Sequence, residues 1–198
     1  MRIGWVRTFT GLYVSLCNPT PEMICIQDMA HQLALEARWG GATSIPFSVA
    51  HHSIWVARFV RELLSPDLRE LGTAHALIHD AHEAYAKDLP TPLKALLGDA
   101  YTRMTDGLDQ AIREHLGLGP PSDEIYCAIK AGDSYAAWCE AKALLAECKE
   151  VKRAGTEPPE GIKNKLAMVP EVKRETEWKY VERAWTSFLQ FSLKQCRT

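Results

Sequence analysis

Apolar side chains recur at every third or fourth position along most of this chain, the spacing of helices that bury one face. The first stretch is the exception. Thr8 to Ile26 alternates weakly, contains Gly11 and the turn "NPTPE", and reads as a short hairpin. "DMAHQLALEARWGG" follows as a helix with Asp28 as its N-cap and Gly40 as its stop. A second helix starts at Ser48, after Pro46, and Val49, Ile54, Val56, Phe59 and Leu63 make it strongly apolar. A third runs from near Thr73 to just before Asp88. Pro90 and Pro92 break it, and "PLKALLG" adds a short helical turn. The next helix spans about Ala100 to Leu116. After the loop "GLGPPSDE", Ser122 or Asp123 caps a long segment from Glu124 to about Arg153, in which Gly132 marks a bend or a close helix approach. "AGTEPPEGIKNKLAMVPE" is Pro/Gly-rich and polar, hence a loop. The last helix, about Val172 to Leu193, carries Trp178, Val181, Trp185 and Phe188 at helical spacing, a stripe that belongs to a core rather than to a cofactor box. The pattern predicts a compact all-α domain of six or seven helices, with room for a short N-terminal β-hairpin. At 198 residues it reads as one domain, with a core over about 25–150 and a C-terminal loop and helix over 154–198.

Composition narrows the setting. With 46% apolar and 24% charged residues, wholesale disorder is excluded. A net charge of −2 supplies no basic field, so neither nucleic acid nor an anionic membrane is an expected partner. The six cysteines form no C-x-x-C pair, which leaves a zinc ribbon or a thioredoxin-type site unsupported. They are expected to pack as small hydrophobes in a reducing compartment. "MRIGWVRTFTGLYVSLCNP" lacks the pattern of a signal peptide, and no apolar run approaches the ~18 residues of a membrane span. The expectation is a cytoplasmic protein.

Candidate chemistry concentrates in "HDAHEAYAKDLPTPLK", residues 79–94. His75, His79 and Glu83 are four residues apart in turn and would share a helix face. Asp80, one step (~100°) round from His79, can converge with it on one ion. Glu83 lies one turn along, placed to reach a water rather than to ligate. The spacing fits neither H-E-x-x-H nor H-x-x-E-H. Alone, an adjacent His and Asp in a polar helix is ordinary surface or capping chemistry. Two further positions change that. His52 stands in an apolar helix, where a core-facing imidazole is costly unless paired or ligated. Asp133 sits among Ile129, Ala136 and Ala137, and a carboxylate there needs a cation or donors. Two imidazoles and two carboxylates suit a divalent transition metal with positions left for water and substrate.

The order His52, His79-Asp80, Asp133 resembles the H…HD…D signature of HD-domain phosphohydrolases. "ARWGGATSIPFSVAHHS", "HDAHEAYAKDLPTPLK" and "AGDSYAAW" look like the bacterial 5′-deoxynucleotidases and their phage-encoded relatives, among them dATP triphosphohydrolases. The likeness covers roughly residues 25 to 145. It implies the HD-domain helical fold, with His52, His79, Asp80 and Asp133 as metal ligands. It implies Glu83 as the acid–base group, Asp88 as a residue that positions the water or sugar, and Arg38 as a phosphate contact. Trp39 would lie against the deoxyribose, where a bulky indole near C2′ leaves no room for a hydroxyl. Lys94 is a candidate phosphate contact, although a solvated surface lysine is the favoured reading; Arg38 and Trp39 have the alternatives of a helix-end cation and a core aromatic. His51, His75 and His82 receive no ligand role.

The implied reaction is hydrolysis of a free deoxynucleotide, with dATP favoured. Attack at the α-phosphorus of a triphosphate would yield deoxynucleoside and triphosphate; attack on a monophosphate would yield deoxynucleoside and phosphate. Manganese, cobalt, zinc, iron or nickel fits the ligand set, with magnesium accompanying substrate phosphates. The resemblance also implies a homo-oligomer, dimer or hexamer, in a host cytoplasm if the protein is phage-encoded. Competing readings are a non-catalytic, metal-stabilised nucleotide-binding domain, a cyclic-dinucleotide or (p)ppGpp hydrolase, and a helical interaction module whose histidines are incidental. No H-D-x-G-K-type extension is present for the third class of hydrolase.

Overall fold

The protein is seen in a computed structural model that describes residues 3–146 and 177–196. The chain is mostly helical, with a two-stranded antiparallel hairpin at its start. Strand β1 (Trp5–Arg7) pairs with β2 (Tyr13–Ser15) in the register Trp5–Ser15, Val6–Val14, Arg7–Tyr13. The hairpin thus lies earlier than its turn residues suggest. "NPTPE" instead forms a 3₁₀ turn, Pro21–Met23, leading into the first helix.

Helix α1 (Ile26–Leu35) starts from Cys25, not Asp28. Asp28 occupies the first turn, fully buried, and its carboxylate accepts from the Thr10 amide at 2.7 Å and the Thr10 hydroxyl at 2.9 Å. It ties the hairpin loop to the helix instead of capping it. The helix also ends before Gly40, because the chain turns extended at Glu36 and Ala37; Ala37 then bridges to Ser48. Arg38–Gly41 forms a separate 3₁₀ turn in which Trp39 and Gly40 have φ of 58° and 59°.

Helix α2 (Val49–Leu63) is the spine. Ser48 caps it, with its hydroxyl accepting from the His51 amide and the His51 ring reaching back to the Ser48 amide. Its residues from Val49 to Val60 are buried on nearly every face, as expected for a helix enclosed by others. Around it pack α1, α3 (Arg69–Ile78), α7 (Asp123–Leu144) and α8 (Trp178–Gln195). The shared core includes Met29, Leu33, Val56, Val60, Leu77, Ile125, Trp185 and Leu189. Short helices α4 (Glu83–Ala86) and α5 (Thr91–Leu97) and the longer α6 (Asp99–Leu116) complete the set.

Three differences from the sequence pattern matter for the site. The helix expected from Thr73 to Asp88 is two helices with a tight turn between them. Through it the amides of Ala81, Glu83, Ala84 and Tyr85 bond three residues back instead of four. Gly132 produces no bend: a Cβ there would meet Val60 Cγ2 at 3.3 Å and the Val56 carbonyl at 3.4 Å, so it permits α7 to approach α2. And α7 stops at Leu144, with Leu145 extended, short of Arg153; residues 147–153, the polar loop and the first part of the expected last helix lie outside the described residues. Among the described residues the five cysteines are free, and no helix is long and apolar enough to cross a membrane.

Candidate metal centre

The four expected ligands come from three parts of the fold. His52 projects from the middle of α2 and is fully buried. His79 and Asp80 open the 3₁₀ turn after α3, and Asp133 follows Gly132 on α7. The structure brings them together. His52 Nε2 lies 3.1 Å from an Asp133 oxygen and 3.7 Å from an Asp80 oxygen; His79 Nε2 lies 3.2 and 3.9 Å from Asp80 and Asp133. His52, His79 and Asp80 offer donor atoms within 4.8 Å of one another.

The tightened turn is what presents this pair. The Leu77 carbonyl, released as the winding changes, accepts from the buried Trp185 indole of α8 at 3.1 Å. The Ala76 carbonyl accepts from His79 Nδ1 at 2.8 Å. His52 Nδ1 is 2.6 Å from Glu140 Oε1. Both rings therefore hold their proton on Nδ1 towards protein and aim Nε2 at the common point, the arrangement of metal-ligating histidines. Both Nε2 atoms are buried and lack a hydrogen-bond partner. Two such buried nitrogens facing two carboxylates call for a cation between them, a proton or a metal ion. Two of the four donor separations, 3.1 and 3.2 Å, fall on the ~3.0–3.4 Å edges that follow from ~2.1 Å metal–ligand bonds, and the other two, 3.7 and 3.9 Å, are wider. The residues fit a divalent ion.

Glu140 is the residue sequence reasoning missed. It lies two helical turns after Asp133 on α7, completely buried. Its Oε1 holds His52, while Oε2 accepts from Trp39 Nε1 at 2.9 Å and from Arg38 at 3.3 and 3.4 Å. The one available signal was that seven-residue spacing; close to Lys142 near the end of the helix, it looks like a solvated charge. Arg38 also pairs with Asp88 at 3.4 Å. Arg38 and Trp39 are thus neither a helix-end cation nor core packing: both flank the centre, attached to its histidine through one carboxylate.

The loop holding Asp88 is strained. Lys87, just before it, has φ 73°, unusual for a side-chain-bearing residue. Glu36 secures it, accepting from Lys87 Nζ at 2.8 Å and from the Asp88 amide at 3.4 Å. The Arg38 loop is anchored too: its amide donates to the Phe47 carbonyl, and the Ser44 amide to the Leu144 carbonyl at the end of α7.

Because the turn is 3₁₀, residues three apart eclipse, so Asp80 and Glu83 share a face rather than His79 and Glu83. Glu83 is buried beneath Asp80 and bonds Lys94 Nζ at 2.9 Å. Burial, reinforced by the charges of Asp80 and Asp88, pushes its carboxyl up to about 7; Lys94 opposes only in part. Elsewhere the charges settle the other way. Burial and Arg38 both disfavour charge on His52, yet Glu140 and Asp133 outweigh them and raise it to about 9. His79 is raised against burial by Asp80, and Asp80 is held well below the usual range against burial by His79. Asp133 and Glu140 are lowered despite burial, chiefly through His52. Of the histidines given no ligand role, His51 caps α2 and His75 is buried, while His82, whose Nδ1 bonds Asp109 at 2.9 Å, offers a donor atom within 4.8 Å of Asp80 and Glu83.

A cavity of about 520 Å³ opens on the centre, lined by Arg38, Trp39, Asp80, Glu83, Asp88 and Lys94 among others. All five candidate substrate and acid–base positions therefore face one space, large enough for a small ligand.

No protein-family model matches the chain. It is 36% identical over 183 residues to the uncharacterized protein RCAP_rcc00048 of Rhodobacter capsulatus, across 87% of this chain and 92% of that protein. It is also 36% identical over 118 residues to the uncharacterized protein YfdR of Escherichia coli, across 60% of this chain and 61% of that one.

Proposed function

The chain belongs to the same family as the Rhodobacter capsulatus protein, and from that premise and the centre's geometry we propose that it is a divalent-metal-dependent phosphohydrolase of the HD-domain type. Its substrates are free deoxynucleotides, with dATP favoured. The observation that carries the reading is the pair of orphaned, buried Nε2 atoms of His52 and His79 beside Asp80 and Asp133, facing a cavity that also holds a carboxyl with a raised pKa. The nucleotide assignment rests on the likeness of "ARWGG" and "HDAHEAYAKDLPTPLK" to deoxynucleotidases, and the preference for dATP on the lead-in "NPTPEMICIQDMAHQLALEARWGG".

When bound, a divalent ion at these four ligands supplies Lewis-acid polarisation of a phosphoryl oxygen and a lowered pKa for the attacking water. Glu83 is the group that takes the water's proton. A pKa near 7 suits both taking and returning it. A phosphate entering the cavity competes with Glu83 for Lys94, which frees the carboxylate as the substrate docks. Arg38, pointed by Glu140 and Asp88, offsets charge on the phosphoryl oxygens. Trp39 is fixed by its bond to Glu140 at the wall where the sugar lies. The P–O bond to water forms, the P–O5′ bond breaks, and the 5′-oxygen leaves with a proton returned from Glu83.

Incubating the pure protein with each dNTP and dNMP in manganese or cobalt, then separating products, tests this. Deoxynucleoside and triphosphate from dATP is the expected result. Inorganic phosphate from dNMPs, with no triphosphate from any dNTP, overturns the triphosphate preference; no turnover of either class, with metal bound, leaves the non-catalytic binding domain.

A further inference from the structure

A second cavity of about 330 Å³ also reaches the centre, at His79 and Asp80. It lies between the turn after α3, the middle of α6 and the start of α7, and its walls include His79, Asp80, His82, Asp109, Arg113 and Lys130. Asp80 and Lys130 belong to both chambers.

The two chambers differ in how their cations are employed. In the larger one, Arg38 is bonded to Glu140 and Asp88, and Lys94 to Glu83. In the smaller one, neither Arg113 nor Lys130 has a carboxylate partner among the described residues; Lys130 lies over the Tyr126 ring, 5.6 Å from its centre. Asp109 is already engaged by His82 at 2.9 Å, and Asp106, which also lines the space, is exposed at its rim. Arg113 is half-buried, so its guanidinium is only partly satisfied by water. Burial first and Arg113 second hold His75, on the same wall, down to about 4, so the field of that charge reaches into the chamber.

We propose that this smaller chamber is the subsite for the polyphosphate tail of a nucleoside triphosphate. The inference rests on the phosphohydrolase reading above. The phosphoryl group under attack sits beside Asp80, the deoxynucleoside occupies the larger chamber against Trp39, and the two outer phosphates extend towards Arg113 and Lys130. A guanidinium with free donors is suited to bidentate phosphate recognition, and a lysine at the junction of the chambers follows the bridging oxygens as a point charge. A monophosphate fills the larger chamber and leaves Arg113, which lines only the smaller one, untouched. The smaller chamber therefore sets the preference for triphosphate over monophosphate, which the ligand set alone does not.

The test compares wild type with Arg113→Gln and Lys130→Gln, with metal content and thermal midpoint measured for each. The readouts are the ratio of kcat/KM for dATP to that for dAMP, and the affinity for inorganic triphosphate by calorimetry on the metal-loaded protein. Arg113→Gln is expected to lower the ratio, and both substitutions to weaken triphosphate binding about tenfold to a hundredfold, the worth of one charge-assisted hydrogen bond. An unchanged ratio in Arg113→Gln, or equal losses on both substrates there, overturns the subsite. If the wild type hydrolyses neither nucleotide, the parent reading fails by itself, and the calorimetric arm still decides: inorganic triphosphate bound equally by wild type and Arg113→Gln refutes the chamber's role.

Discussion

His52 and His79 each have one ring nitrogen bonded to protein and the other buried without a partner. In the ion-free protein His52, with a pKa of about 9, holds an extra proton at pH 7, and that proton must leave before Nε2 can ligate. Metal uptake at pH 7 should therefore release about one proton from His52, with affinity rising with pH until it levels near 9. Calorimetry in buffers of different ionisation enthalpy reads this directly, and absence of release would show imidazoles already neutral. Stability follows the same groups. A raised folded pKa gives stability that is lost as pH rises. Glu83 loses its share between its ordinary 4.5 and about 7, and His52 between 6.5 and about 9. Asp80, Asp133 and Glu140, all lowered, lose theirs as pH falls below the ordinary carboxylate range. The chelated protein should melt progressively lower from about pH 7 to pH 9, and also in acid, where His51 and His75, both held down to about 4, and the lowered carboxylates oppose protonation in the fold. Glu83→Gln removes the proton acceptor, so turnover should fall by about 10²–10⁴ with metal content unchanged. The wild type's rate should climb as pH passes through 7, and that limb should be missing in the variant.

At the scale of elements, the turn after α3 decides whether the ligands converge, and its support is remote in sequence. Trp185→Phe keeps the ring in the core but leaves the Leu77 carbonyl with no donor. It should cost about 1–3 kcal/mol and weaken metal binding although it touches no ligand; unchanged affinity would mean the turn holds itself. Gly132→Val fills the contact between α7 and α2. It should cost about 1–3 kcal/mol by overpacking and shift Asp133, lowering both the thermal midpoint and metal affinity. The apolar period made α2, α6 and the capped start of α7 legible, because those helices are amphipathic or buried along their whole length. The adjacent His79 and Asp80, with His52 and Asp133 on apolar faces, made the candidate ligands legible through the cost of burying them. Other features were not. Hydrogen-bond spacing in the turn carries no compositional mark, so Glu83 was placed on the face of His79 when it eclipses Asp80. Asp28 has the residue type of a cap, but its burial beside Thr10 depends on the hairpin. Glu140 looked like surface charge because its three partners lie about 90 to 100 residues away.

At the scale of the whole molecule, the centre joins three parts of the chain that packing alone brings near: α2, the turn after α3, and α7. An ion bound there ties them together, and through Glu140 it also ties in the Arg38–Trp39 turn. Ligand binding adds stability by mass action, about 2.7 kcal/mol at a free concentration a hundred times Kd. Chelation should lower the thermal midpoint accordingly, and added ion should restore it. That coupling is absent if the histidines are incidental to a helical interaction module. The most direct test is metal stoichiometry in wild type and His52→Ala, with both proteins shown to be folded. Elemental analysis after equilibration with manganese, cobalt or zinc and removal of free ion should give about one tightly held ion per wild-type chain and none in the variant. Wild-type protein that holds no ion, or a variant that holds as much, would contradict the account.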